Sequence, residues 1–89
     1  MENKKYIDKV IGSLVRGTKI DYENELIRSP FLSPRPLYKQ LISPSLFSLT
    51  FGFFLSKYCK NHFGLTKEET EYVWDQYKSI ILNKIENGQ

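Results

Sequence analysis

Ser43-Pro-Ser-Leu-Phe-Ser-Leu-Thr-Phe-Gly-Phe-Phe-Leu-Ser-Lys-Tyr-Cys-Lys-Asn-His-Phe-Gly64 carries no charge before Lys57 and reads as one helix. Ser43 can cap the first N–H groups, and Pro44 fits the first turn, where its missing N–H costs nothing. Gly64 stands just past the end, where a left-handed residue closes many helices. At about 100° per residue, Phe47, Phe51, Phe54, Tyr58 and His62 share an arc of about 80°. Ser45, Ser48, Gly52, Ser56 and Cys59 share a second arc of similar width, and all are small. The aromatic arc is expected to face the core. The small-residue arc lets another helix approach closely, either the first helix of this chain or a partner.

The same stretch has a membrane reading. Gln40 to Ser56 is uncharged, and Ser48, Gly52 and Ser56 have the small-xxx-small spacing of associating membrane helices. Against it stand a proline and several hydroxyl residues, with Phe and Leu concentrated on part of the surface rather than all round. A packed helix in a water-soluble bundle accounts for the pattern better.

Downstream, Thr66-Lys67-Glu68-Glu69 matches a capping box and opens a helix to about Ile85. Val73, Trp74, Tyr77, Ile80, Ile81 and Ile85 mark its apolar stripe. A link as short as Phe63–Leu65 predicts an antiparallel hairpin. Upstream, Tyr6, Ile7, Val10, Ile11, Leu14 and Val15 make residues 3–15 an amphipathic helix, with Asn3 as cap and Gly17 as terminator. Gly12 inside it costs about 1 kcal/mol against alanine.

Between these helices, Tyr22, Leu26 and Ile27 predict a short helix near 22–28 capped by Asp21. A strand at Lys19–Tyr22 finds no second strand to pair with, and an unpaired strand has nowhere to send its hydrogen bonds. Ser29-Pro-Phe-Leu-Ser-Pro-Arg-Pro36 reads as a connector, since its prolines forbid a regular helix. Leu37–Ile42 can add a turn of helix. The expected fold is therefore all-α. It is a small bundle of three main helices (about 3–15, 44–62 and 67–85) plus the short one, in one domain, 1–89, with a proline-rich connector at 29–36.

Composition narrows the function. Eighty-nine residues hold one modest core. One cysteine excludes an internal disulfide and cannot alone hold zinc, which points to a cytoplasmic protein, and the N-terminus lacks a signal-peptide pattern. The chain has no alanine and ten lysines to three arginines, usage typical of AT-rich coding sequences such as those of many phages. If it is phage-encoded, it would work in the host cytoplasm.

Cys59 and His62 lack the third, orienting group of a nucleophilic site, and no phosphate-binding glycine loop is present. No catalytic, cofactor or metal residue is expected. A net charge of +3 is a weak pointer to nucleic acid, because the basic residues of the first half (Lys4, Lys5, Lys9, Arg16, Lys19, Arg28, Arg35, Lys39) are partly balanced by acids. Six Phe, six Tyr and one Trp exceed what so small a domain easily hides, so an exposed apolar patch is expected. The resulting expectation is a non-catalytic accessory or regulatory protein that binds another protein or a second copy of itself. Its contact residues would be Ser45, Ser48, Leu49, Gly52, Phe53 and Ser56, or else Phe31 and Leu32 in the connector.

Overall fold

The computed structural model describes residues 3–38 and 44–87. The elements run α1 (Lys4–Gly17), β1 (Lys19–Asp21), β2 (Leu26–Ser29), β3 (Leu32–Pro36), α2 (Pro44–Phe63) and α3 (Lys67–Glu86). Leu37 and Tyr38 begin a helical turn; the remainder of that expected turn and the Ser43 cap lie outside the described residues.

The fold is α+β, and the all-α helical-bundle expectation is corrected here. Residues 19–36 form an antiparallel meander in the order β1-β2-β3. The partner that the Lys19–Tyr22 strand lacked in the sequence is the segment read as a short helix: Ile20 lies opposite Ile27, and Asp21 opposite Leu26. An acidic turn joins the two strands. Asp21 Oδ1 accepts the Asn24 N–H at 3.1 Å, Asp21 Oδ2 accepts the Asn24 side-chain amide at 2.9 Å, and Glu25 takes the left-handed conformation at φ 55.

The expected proline connector is the second partner. Leu26 pairs with Pro36, Ile27 with Arg35 and Ser29 with Leu32, with a register shift between Ile27 and Ser29. That shift leaves β3 one residue longer than β2 across Arg28, and Pro34 falls in the bulge. Prolines are tolerated because β3 is a sheet edge, and a bulge leaves a residue out of the ladder.

Ile27 is 0% exposed and ties the middle strand to the helices. The aromatic residues join the layers. Phe31, in the β2–β3 turn, packs edge-on to Phe51 (5.9 Å between centroids, 90°) and to Tyr77 (5.6 Å, 68°). Phe47 stacks on Phe51 at 4.7 Å and on Trp74 at 5.8 Å. Both α1 and α2 pack against α3, which is the central helix. Its start is the capping box: Glu69 N–H donates to Thr66 Oγ1 at 3.1 Å, and Thr66 N–H to Glu69 Oε1 at 2.9 Å. Gly64, at φ 61, turns the chain out of α2, and Leu65 N–H returns to the Cys59 carbonyl at 3.3 Å.

Three local expectations are also corrected. Asn3 precedes α1 without a side-chain capping bond. Asp21 anchors a hairpin turn instead of a helix. Gly17 has no left-handed backbone; a Cβ there would stand 3.2 Å from Pro30 Cγ, so it serves the close approach of the sheet.

A buried hydrogen-bond chain closes the end of α1. Thr18 Oγ1 donates to the Leu14 carbonyl at 2.8 Å and lies 2.8 Å from the Tyr77 hydroxyl. Because Thr18 has one hydroxyl proton, already given to Leu14, Tyr77 must be the donor in the second bond. Thr18→Val therefore strands a buried phenol and is expected to cost about 2 kcal/mol, whereas Tyr77→Phe costs about 1 kcal/mol. Urea unfolding of the two variants checks this; equal losses would contradict the assigned direction.

Candidate interaction surface

The burial of α2 follows one ridge at i, i+4 spacing. Phe47, Phe51, Leu55 and Cys59 are all fully buried. This line runs along the seam between the aromatic arc and the small-residue arc, so neither arc as a whole is the core face. Phe54 and Tyr58 are half-buried, and His62 is exposed at the helix end, stacked on Tyr58 at 4.4 Å.

The small arc divides. Cys59 is buried, and a Cβ on Gly52 would stand 3.3 Å from two atoms of the Trp74 ring. The close approach is thus made by α3, not by the first helix and not by a partner. Ser48 and Ser56 are half-buried, and Ser45 is exposed.

Directly opposite the buried ridge lies a second i, i+4 line: Ser45, Leu49, Phe53 and Lys57. Leu49 is 74% exposed and Phe53 58%. Phe54 meets Phe53 edge-on at 5.4 Å, and Lys57 Nζ lies 5.4 Å from the Phe53 centroid. Lys57 and Lys60 put two cations at the C-terminal end of this line, and Pro44–Phe63 contains no carboxylate. Of the sequence candidates, Ser45, Leu49 and Phe53 are brought onto one open face. Phe31 is a core ring, and Leu32 is half-buried against the core. Leu55, which completes the buried ridge, belonged to neither arc. Its i, i+4 spacing from Phe47 and Phe51 is consistent with that ridge, but the division into two arcs passed over it.

The chemistry of the single cysteine opposes catalysis at that residue. Burial pushes the Cys59 thiol up to about 11, so it stays protonated at neutral pH, where a nucleophile needs the thiolate. Among the described residues no group of three or more His, Cys, Asp or Glu is placed to hold a metal ion. No helix among them is long and apolar enough to cross a membrane. Of the basic residues in the first half, Lys4 is bound to Asp8 at 3.2 Å, and Arg28 lies 3.8 Å from Asp21.

Comparison with protein-family models, with curated proteins and with solved structures finds no match to this chain.

Proposed function

We propose that this chain is a non-catalytic protein-interaction module that docks the outer face of α2 onto an apolar, acidic segment of another protein. The observation that carries this reading is the pairing of Leu49 and Phe53, two large exposed side chains one helical turn apart, with Lys57 beyond them. Withdrawing what remains exposed of both contributes about 2–4 kcal/mol, at about 1.5–3 kcal/mol for a fully exposed side chain, before the costs of association. That suits a transient contact, with carboxylates on the partner meeting Lys57 and Lys60 and setting its orientation.

Charge also argues against self-pairing through this face. In an antiparallel two-fold pairing of α2, Lys57 and Lys60 would meet the N-terminal half of the second copy's helix. That half carries no carboxylate and has the positive end of the helix dipole. A single buried cysteine and no membrane-crossing helix among the described residues accord with work in the cytoplasm.

The test compares the unaltered chain with a Leu49→Glu/Phe53→Glu variant, in sedimentation and in capture from cells that make the protein. Expected is a monomer whose captured partner, with an acidic binding segment, is lost with the variant while its melting temperature holds. A partner set unchanged by the variant overturns the proposal. So does a dimer that the variant dissociates, because the occupant is then a second copy.

A further inference from the structure

The junction of α1, β1 and the end of α3 holds a cleft of about 420 Å³ lined by Val15, Arg16, Thr18, Lys19, Ile20 and Lys84. Three of the six are cations, none is acidic, and they come from three elements: the last turn of α1, the start of β1 and the last turn of α3. Helix dipoles account for Arg16 and Lys84, which sit where positive charge is favoured. They do not account for Lys19. Its cross-strand partner is Arg28, and like charges directly opposite each other destabilise a sheet.

No carboxylate among the described residues pairs with this cluster. Arg28 has Asp21, but none of Arg16, Lys19 and Lys84 takes part in an ion pair among the described residues. Three backbone carbonyls at the two helix ends are engaged elsewhere. Val15 O accepts the Thr18 N–H at 3.1 Å, Leu14 O the Thr18 hydroxyl at 2.8 Å, and Lys84 O the Tyr22 hydroxyl at 3.2 Å. Those carbonyls are therefore satisfied within the fold, while the three cations have no carboxylate partner among the described residues.

We infer that this cleft is an anion site that takes the phosphate group of a small phosphorylated molecule. Lys19 and Lys84 hold the phosphate, and Arg16 closes on it. In the structure the Arg16 guanidinium lies back over Gly12, with Nη1 3.0 Å from where a Cβ would stand. A flexible side chain swings from there without disturbing the helix. Val15 and Ile20 supply apolar surface for the remainder of the ligand, and the volume lies in the range of small-molecule sites, about 300–1,000 Å³. A nucleic-acid backbone fits less well. It asks for a stripe of cations along the surface, whereas these three line a single cleft and Lys4, further along α1, is taken by Asp8.

The test is a titration of the isotope-labelled full chain with inorganic phosphate, AMP, adenosine and a short DNA duplex at constant ionic strength, followed by amide chemical shifts. Expected are saturable shifts confined to residues 15–20 and the end of α3 with phosphate and AMP, AMP binding more tightly, and none with adenosine. Lys19→Ala and Lys84→Ala, each an exposed position, are expected to weaken AMP binding about tenfold apiece while the free protein keeps its melting temperature. Absence of saturable shifts at millimolar phosphate and AMP overturns the inference, as does binding that survives both substitutions. A duplex that binds more tightly than AMP, with shifts spreading over Lys4, Lys5 and Lys9, overturns it in favour of backbone binding.

Discussion

Phe31→Ala is expected to lower the unfolding free energy by about 3 kcal/mol, toward the low end for a core phenylalanine because the ring is half-buried. The ring lies between Phe51 of α2 and Tyr77 of α3, with Tyr58 at 6.1 Å, so it joins the β2–β3 turn to both long helices. Removing it leaves a cavity bounded by rigid aromatic faces, and such faces relax poorly into the space. Phe53→Ala, on the opposite side of α2, is expected to change stability by no more than about 0.5 kcal/mol, because that ring is mostly in water already. Urea unfolding at neutral pH measures both. A loss below about 1 kcal/mol for Phe31→Ala would mean that the turn is not part of the core. The pair also separates stability from binding, since the proposed function assigns partner contact to Phe53 and none to Phe31.

The second large effect appears in alkali. Cys59 and Tyr77 are both fully buried, and burial raises both: the thiol from 9.0 to about 11, and the phenol well above its ordinary 10.0. In each case the folded chain keeps a proton that the unfolded chain gives up at lower pH. The unfolded state therefore binds fewer protons through that window, and stability falls as pH rises. It is undiminished below pH 9, then declines by about 1.4 kcal/mol per unit as the unfolded thiol ionises. Above pH 10 the tyrosine adds a similar slope. The thiol's share levels off near pH 11 at a total of about 2–3 kcal/mol. Urea midpoints from pH 8 to 11 under reducing conditions test this, with Cys59→Ala as the comparison. The variant should lose part of the slope between pH 9 and 10; identical slopes in the two proteins would mean that the thiol does not titrate as its burial requires.

The helices were legible because their signals are local. Thr66 and Glu69 satisfy each other within one turn whatever surrounds them, and Gly64 turns left-handed because its missing Cβ lets it. The stripe Ile7, Val10, Ile11 and Leu14 repeats often enough to mark a buried face. The edges of such stripes were less secure: Tyr6 on α1 and Ile80 on α3, placed inward by periodicity, are partly in water at 46% and 37% exposure.

The sheet was not legible, for reasons visible in its residues. Strands of three, four and five residues show too little alternation to declare a period of two. Tyr22, Leu26 and Ile27 match helical spacing equally well. Pro34 and Pro36 argue against a strand until it is known that the strand lies at an edge with a bulge. Pairing is a decision made between segments, and each segment alone looked like something else.

For the candidate surface, Leu49 and Phe53 stood beside the small-residue stripe in the sequence, and periodicity related every position on α2 to every other. The uncharged run from Ser43, the cap at Thr66 and the apolar spacings determined where the three long helices lie and turn, while the short helix they also suggested near 22–28 gives way to strand β2. Which way α2 faces was decided by tertiary packing. The Trp74 ring lies against Gly52, so α3 packs on that part of the small stripe, Phe47, Phe51, Leu55 and Cys59 turn inward, and Leu49 and Phe53 are left in water. A helical projection is unchanged by rotation, and only a neighbour with a shape of its own sets that rotation.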